Sequence, residues 1–304
     1  MLKFRPLLMA AAWLAIALSG AAAAGTSNHF WHPPKPRFVL WQLPNQTHSQ
    51  IMSLVLRTPH GQIIVIDGGT AGDAPYLKGF LAALGNKVDA WFITHPHYDH
   101  FDALTSLLNE GGGPSIAAIY GSLSTLEWVK QRGYGDKTVK PYADFLEALR
   151  KANLGISELA LGGQMDIDGV RIEVLGVRNP EITVNAINNS SLVLRVSDQT
   201  KSVLLTADLG AEGGRKLLNS PYAKRLPSDY VQMAHHGQAG VEESFYQSVR
   251  PRYCLWPAPL WLWNNDSGKG TNSGRLKTFE TRAWMEKLDI QRHYLMSEGL
   301  VRIE

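Results

Sequence analysis

Within "WFITHPHYDHFDAL", residues 91–104, three histidines and an aspartate occupy six positions of a 304-residue chain that holds ten histidines in all. Neutral imidazoles and carboxylates are the ligand set of zinc and similar divalent transition metals, so His95, His97, Asp99 and His100 point to metal chemistry. The almost wholly apolar "DAWFIT" reads as a strand buried on both faces, and "FDALTSLL" after the cluster as a helix. Ligands gather where strands give way to helices in mixed α/β sheets. Along such a turn His95 and His97, at i and i+2, can converge on one ion while Asp99 and His100 face a second beside it.

Three later or earlier segments also end an apolar run in a ligand-type residue: "IVIDGG" with Asp67, "LLTADLG" with Asp208 and "MAHHGQ" with His235 and His236. Asp67 before two glycines could do no more than make an Asx turn. Adjacent histidines ending an apolar strand are harder to dismiss, because burying them without partners is costly.

The elements that must position these residues alternate along the chain. "RFVLWQL", "IMSLVLRT" and "QIIVIDGG" have strand patterns, "YLKGFLAAL" and "STLEWVKQRG" helical ones, and "SIAAIYG" is a strand between helices. A strand-rich second half starts near Ile156 with "ISELAL", "MDIDGVRIEVLG" (with an Asp-Gly turn), "SLVLRVS" and "KSVLLTAD". "LKTFETRAWMEKL" reads as an amphipathic helix and "HYLMSEGLVRIE" as a closing hairpin. Two successive halves, each a mixed sheet with helices, predict two sheets packed face to face with helices outside, a four-layer αββα sandwich of the α/β (α+β) class.

"THPHYDH" resembles the H-x-H-x-D-H signature of the metallo-β-lactamase superfamily, and the Asp67, Asp208 and His-His-Gly segments match that superfamily in order and spacing over nearly all of residues 37 to 256. The resemblance implies the αββα sandwich and a rim site for one or two metals. It makes Asp67 the strand-end aspartate that buttresses the site, Asp208 the carboxylate that bridges two metals, and His235 or His236 the late ligand, with His236 favoured because it precedes glycine. No histidine stands between His100 and His235, so the superfamily's middle histidine is absent. Its place falls in "NAINNSSLVLRV", as in the metallohydrolase domain of ComEC-type DNA-uptake proteins, where an Asn-Asn-Ser-Ser segment and a later "HHG" also occur. Asn188 or Asn189 could offer an amide oxygen there, or a water could take the place; either makes the first site harder and manganese as credible as zinc.

The resemblance thus implies two divalent ions, Zn or Mn, held by His95, His97, Asp99, His100, Asp208 and one or both of His235 and His236. Ions ~3.5–4 Å apart across Asp208 would bring the pKa of a shared water toward neutrality and make it the nucleophile. Asp99, His235 and Asp67 are the residues expected to serve the chemistry, His235 as proton donor to the leaving group and Asp67 by fixing a ligand's tautomer. Metal content and activity should fall together below roughly pH 6, as ligand histidines protonate. Trp261 and Trp263, in the late aromatic segment "LWPAPLWLWNN", are candidates to stack on a substrate ring.

Residues 1–24 carry the features of an export signal: Lys3 and Arg5, the apolar "LLMAAAWLAIAL" and the small-residue "SGAAAAG", with cleavage after Ala24. The apolar run is shorter than the ~20 residues that span a bilayer, so the expectation is a periplasmic or secreted protein without stable membrane insertion. Residues 25–304 are then one hydrolase domain. Losing Lys3 and Arg5 takes the formal charge from +3 to +1, which does not announce nucleic acid as a partner. The single Cys254 cannot form an internal disulfide. Oligomeric state has no signature in the sequence. The function these features favour is an exported binuclear hydrolase of a small-molecule or phosphodiester substrate. A lactonase or β-lactamase type of acyl hydrolase is the alternative, and a non-catalytic metal- or ligand-binding module the alternative of another class.

Overall fold

The computed structural model describes residues 37–304, and the export-signal reading of residues 1–24 lies outside them. In chain order the strands are β1 (Val39–Gln42), β2 (Ser53–Arg57), β3 (Ile63–Asp67), β4 (Lys87–Val88), β5 (Ala90–Ile93), β6 (Ser115–Ile116), β7 (Ile119–Gly121) and β8 (Ile156–Glu158). They continue with β9 (Gln164–Ile167), β10 (Val170–Gly176), β11 (Val193–Ser197), β12 (Ser202–Leu205), β13 (Tyr230–Gln232), β14 (Tyr253–Trp256), β15 (Arg292–Leu295) and β16 (Val301–Ile303). The helices are α1 (Ala74–Ala83), α2 (Tyr98–Glu110), α3 (Leu126–Arg132), α4 (Asp136–Lys151), α5 (Ala186–Asn189), α6 (Ala211–Leu218), α7 (Glu243–Val249), α8 (Leu260–Trp263) and α9 (Thr278–Lys287).

Two seven-stranded sheets form, ordered β16-β1-β2-β3-β5-β7-β8 and β15-β14-β13-β12-β11-β10-β9. Period-two alternation sorts their side chains into separate cores. Leu54, Leu56, Ile64, Ile66 and Phe92 of the first sheet meet Ile172, Leu194 and Leu205 of the second in the core between the sheets. The intervening Val55, Val65, Trp91 and Ile93 face outward onto Leu77, Phe101 and Phe145 of α1, α2 and α4. On the far side, Leu204 and Val231 pack under Leu217, Phe245 and Met285 of α6, α7 and α9. The αββα sandwich expected from the sequence is the architecture. β5 is apolar throughout because both its faces are covered.

The Asp168-Gly169 turn joins β9 to β10 with both residues at positive φ, the geometry of a tight hairpin. Two expectations need correction. "HYLMSEGLVRIE" is no hairpin: β15 pairs in parallel with β14 of the second sheet, and β16 crosses over to pair antiparallel with β1 of the first. "ISELAL" likewise belongs to the first sheet, as β8 beside β7. Both errors arise because strand pairing is decided by distant segments, while the sequence displays only local pattern.

Candidate metal centre

Parallel pairs in both sheets end at one rim. β3 and β5 lie side by side in the first sheet and deliver Asp67 and His95, while β12 and β13 lie side by side in the second and lead to Asp208 and the His235-His236 pair. His97 caps α2, which puts Asp99 in that helix's first turn, where the helix dipole favours a carboxylate. The rim is also where backbone strain collects. Asp67, Ala207, His235 and His236 all adopt positive φ, a conformation costing about 1–2 kcal/mol for a residue with a Cβ. Gly237 follows at φ +86°, and a Cβ there would lie 2.3 Å from the Trp256 ring. The His235 N–H donates to the Ala207 carbonyl at 2.9 Å and so ties the two strained loops together.

The side chains converge on Asp208. Its Oδ1 lies 3.4 Å from His100 Nε2 and 3.5 Å from His236 Nε2. Its Oδ2 lies 3.7 Å from His95 Nε2 and 3.8 Å from His235 Nε2. Asp99 Oδ2 completes the first side, 3.3 Å from His236 Nε2, and His97 Nδ1 the second, 3.1 Å from His95 Nε2. Two ligand groups result, Asp99–His100–Asp208–His236 and His95–His97–Asp208, with Asp208 common to both.

The hydrogen-bond accounting of these atoms fits a metal site. Among the described residues ten buried side-chain polar atoms have no hydrogen-bond partner, and five of them belong here: both oxygens of Asp208, Nε2 of His100 and of His236, and Oδ1 of Asn188. Buried polar atoms are ordinarily satisfied, and leaving one unmet costs ~1–3 kcal/mol. Each imidazole is held from behind so that its free nitrogen faces the cluster. The His100 Nδ1–H donates to Asp67 at 2.7 Å, and the His236 Nδ1–H to the Pro257 carbonyl at 2.8 Å. Asp67 also accepts from the Thr94 amide at 2.9 Å and hydroxyl at 2.7 Å. Such supports fix the tautomer of a metal-ligating histidine. The donor set fits divalent cations.

Electrostatics separate the histidines. Burial lowers His97 to about 4 despite Asp99 and Asp208, and lowers His95 with the help of His100. At His236 burial is outweighed by Asp208 and Asp99, which raise it to about 9, and at His100 burial is outweighed by Asp208 and Asp67, which hold the imidazole well above its ordinary range. Burial lowers His235 too; its Nε2 accepts from the Asn188 amide at 3.3 Å.

Asn188 and Asn189 take different places. Asn188 reaches the cluster, whereas Asn189 donates to the Val184 carbonyl and Glu212 and accepts from the Gly213 amide, so it fastens α5 to α6. Trp261 and Trp263 are not brought to the cluster. Trp261 donates to the His48 carbonyl at 2.8 Å and lines a separate pocket, and Trp263 packs edge-on against Trp256 with the Arg282 guanidinium over its ring. Both indoles are spent on packing and on a backbone carbonyl. Gln50, for which the sequence holds no signal, donates to Asp99 at 3.3 Å and accepts from Gln238 at 3.0 Å. A cleft of about 470 Å³ opens over the cluster, reached by His97, Asp99, Asn188 and His235.

This fold and ligand order define a class, and the family profile of the metallo-beta-lactamase superfamily matches residues 47–292. The chain belongs to that superfamily. It is 27% identical to ComE operon protein 3 of Bacillus subtilis (strain 168) over 222 residues, 67% of this chain and 26% of that protein. The chain thus spans about a quarter of that relative's length. Among solved structures it is similar in fold to the metallo-beta-lactamase fold protein YhfI from Bacillus subtilis, with TM-score 0.52, 12% identity and coverage of 88% of this chain and 99% of that one. It is similar also to CmlA, a diiron beta-hydroxylase from Streptomyces venezuelae, with TM-score 0.53, 14% identity and coverage of 90% and 55%.

Proposed function

We propose that this chain is an exported metal-dependent hydrolase that holds two divalent cations, zinc or manganese, and cleaves phosphodiesters. The observation that carries the reading is the shared, unsatisfied Asp208 carboxylate with imidazole nitrogens converging on each of its oxygens. His95, His97 and Asp208 would hold one ion, and Asp99, His100, His236 and Asp208 the other. Bound there, such ions supply Lewis acidity toward a substrate oxygen and toward water near neutral pH.

The protein's own groups do the rest. Asp67 and the Pro257 carbonyl keep a proton on the outer nitrogen of His100 and His236 and so leave the inner ones free to bind. Gln50 and Gln238 orient Asp99. His235, neutral at rest and lining the cleft, would take at Nε2 the proton that the attacking water gives up and pass it to the leaving oxygen. The Asn188 amide oxygen, standing where the superfamily's middle histidine is missing, favours a harder ion than a third imidazole would. Phosphodiester cleavage rests on this substitution and on the likeness to ComEC-type sequences. Export rests on the signal-like residues 1–24, with residues 25–304 as the mature hydrolase. No helix of the described residues is long and apolar enough to cross a membrane.

Elemental analysis followed by bis(p-nitrophenyl) phosphate and a chromogenic cephalosporin on the same metal-loaded preparation tests the reading. About two ions per chain and turnover of the phosphodiester alone are expected. Preference for the cephalosporin would make the protein an acyl hydrolase, and stoichiometric metal with no turnover of either would make it a binding module.

A further inference from the structure

The cleft above the cluster has an outer wall that metal binding does not account for. Tyr98 and Tyr134 stand 43% and 65% exposed, Tyr134 being the most exposed large hydrophobic side chain among the described residues. Tyr134 lies in the turn between α3 and α4, yet it is held. Its N–H donates to Thr138 Oγ1 at 3.2 Å, its hydroxyl reaches Asn185 Oδ1 at 3.5 Å, and its ring lies 28° from parallel to that of His97 with centroids 6.4 Å apart. Lys137, from the first turn of α4, is the one Lys or Arg lining this cleft. Asp144 engages the nearby Lys140, but no carboxylate among the described residues pairs with Lys137. An aromatic ring held over the cleft beside a lysine with no carboxylate partner offers a stacking face and a positive charge to the same space.

We infer that Tyr134 and Lys137 form a recognition arm for a small anionic ester carrying a flat ring on the side retained after cleavage, a substrate class that rests on the phosphodiesterase reading above. The ring stacks beside Tyr134 while the Lys137 ammonium meets the negative charge. A cleft of about 470 Å³ suits a drug-sized ligand. One lining cation is too few for a polyanion, since nucleic-acid grooves collect several Lys and Arg along the strand. The arm therefore selects a single nucleotide-sized ester over a nucleic-acid polymer.

Two esters with one leaving group and one charge isolate the ring: the p-nitrophenyl ester of thymidine 5′-monophosphate and methyl p-nitrophenyl phosphate. The metal-loaded wild type should favour the thymidine ester in kcat/KM by about tenfold, the scale of one stacked ring. Tyr134→Ala should raise KM for the thymidine ester about tenfold more than for the methyl ester and so erase that preference, and Tyr134→Phe should restore it. Lys137→Met should raise KM for both esters severalfold. The same variants are titrated with thymidine 5′-monophosphate and with methyl phosphate by NMR, which needs no turnover. Tyr134→Ala should weaken only the former and Lys137→Met should weaken both. If neither ester is cleaved while thymidine 5′-monophosphate binding still follows Tyr134, the phosphodiesterase reading fails and the recognition arm stands. Equal affinity in wild type and Tyr134→Ala, or single-stranded DNA bound far more tightly than the mononucleotide and indifferent to Lys137, would overturn the arm.

Discussion

Two buried polar clusters sit on the second sheet, and they are built on opposite terms. On its outer face Glu173 is 4% exposed, and it accepts from Arg195 at 2.8 Å and from Arg225. Arg195 reaches the Pro227 carbonyl at 3.2 Å as well. At the rim Asp208, 1% exposed, has neither oxygen hydrogen-bonded. The cleft beside Glu173 is the roomier, about 840 Å³ against about 470 Å³ over the candidate metal centre, but its buried carboxylate is already paired with Arg195 and Arg225. A hydrogen-bonded buried carboxylate serves the fold, and one ringed by imidazoles yet left without a hydrogen bond points to a cation as its partner.

Perturbing the two clusters should therefore give opposite phenotypes. The largest effect is expected from replacing both His95 and His97 with Ala. Turnover should drop to background and one ion be lost, while circular dichroism and the denaturation midpoint of the metal-free protein change little, because the strands keep their own cores. Next is Asp67→Asn, which weakens the support behind His100. Metal affinity should fall by about 10–100-fold, measured by competition with a chelator. Glu173→Ala should do the reverse. Two guanidiniums left facing each other should destabilise the protein by about 2–3 kcal/mol, discounted because both arginines are partly exposed, with two ions still bound per folded chain.

The smallest effect, and the one that sharpens the contrast, is in pH. In the metal-free protein Asp208 and Asp99 hold His236 at about 9 against an ordinary value of 6.5. A group whose pKa is raised by folding gives stability that is fully present below pH 6.5 and is lost as pH rises through 9. The unfolding free energy of the metal-free protein, followed in urea, should fall across that window by an amount on the order of 3 kcal/mol. In the metal-loaded protein the fall should disappear, since the ion takes the proton's place. Loading at pH 7 should accordingly release protons, and calorimetry in buffers of different ionisation enthalpy measures them. Competition between proton and metal at His236 thus begins above the pH of about 6 expected from unperturbed histidines.

What the sequence discloses follows from this contrast. His95, His97, Asp99, His100, Asp67 and Asp208 are legible because each closes or follows a buried apolar strand and their joint order along the chain matches one ligand pattern. The αββα layering was legible because strands such as β5 carry apolar residues on both faces. Asn188 and Asn189 cannot be told apart in the sequence: they are neighbours on one short helix, and which one faces the histidine cluster depends on Glu212 and Gly213 of α6. Three clustered tryptophans drew attention to Trp261 and Trp263, but indoles fill cores and cap carbonyls more often than they bind ligands. Tyr134 and Lys137 had no periodicity to betray them, because a turn between helices obeys none. The closing strands β15 and β16 were assigned to a hairpin because their partners, β14 and β1, are remote in the chain.

The central claim is that Asp208 is shared by two cations. Crystals of the wild type loaded with zinc or manganese, measured by anomalous diffraction at the metal edge, test it most directly. Two peaks are expected, one between Asp208 Oδ1 and the Asp99, His100 and His236 side chains, the other between Asp208 Oδ2 and His95 and His97. A map with no peak touching Asp208, or with the metal bound elsewhere on the surface, would contradict the account.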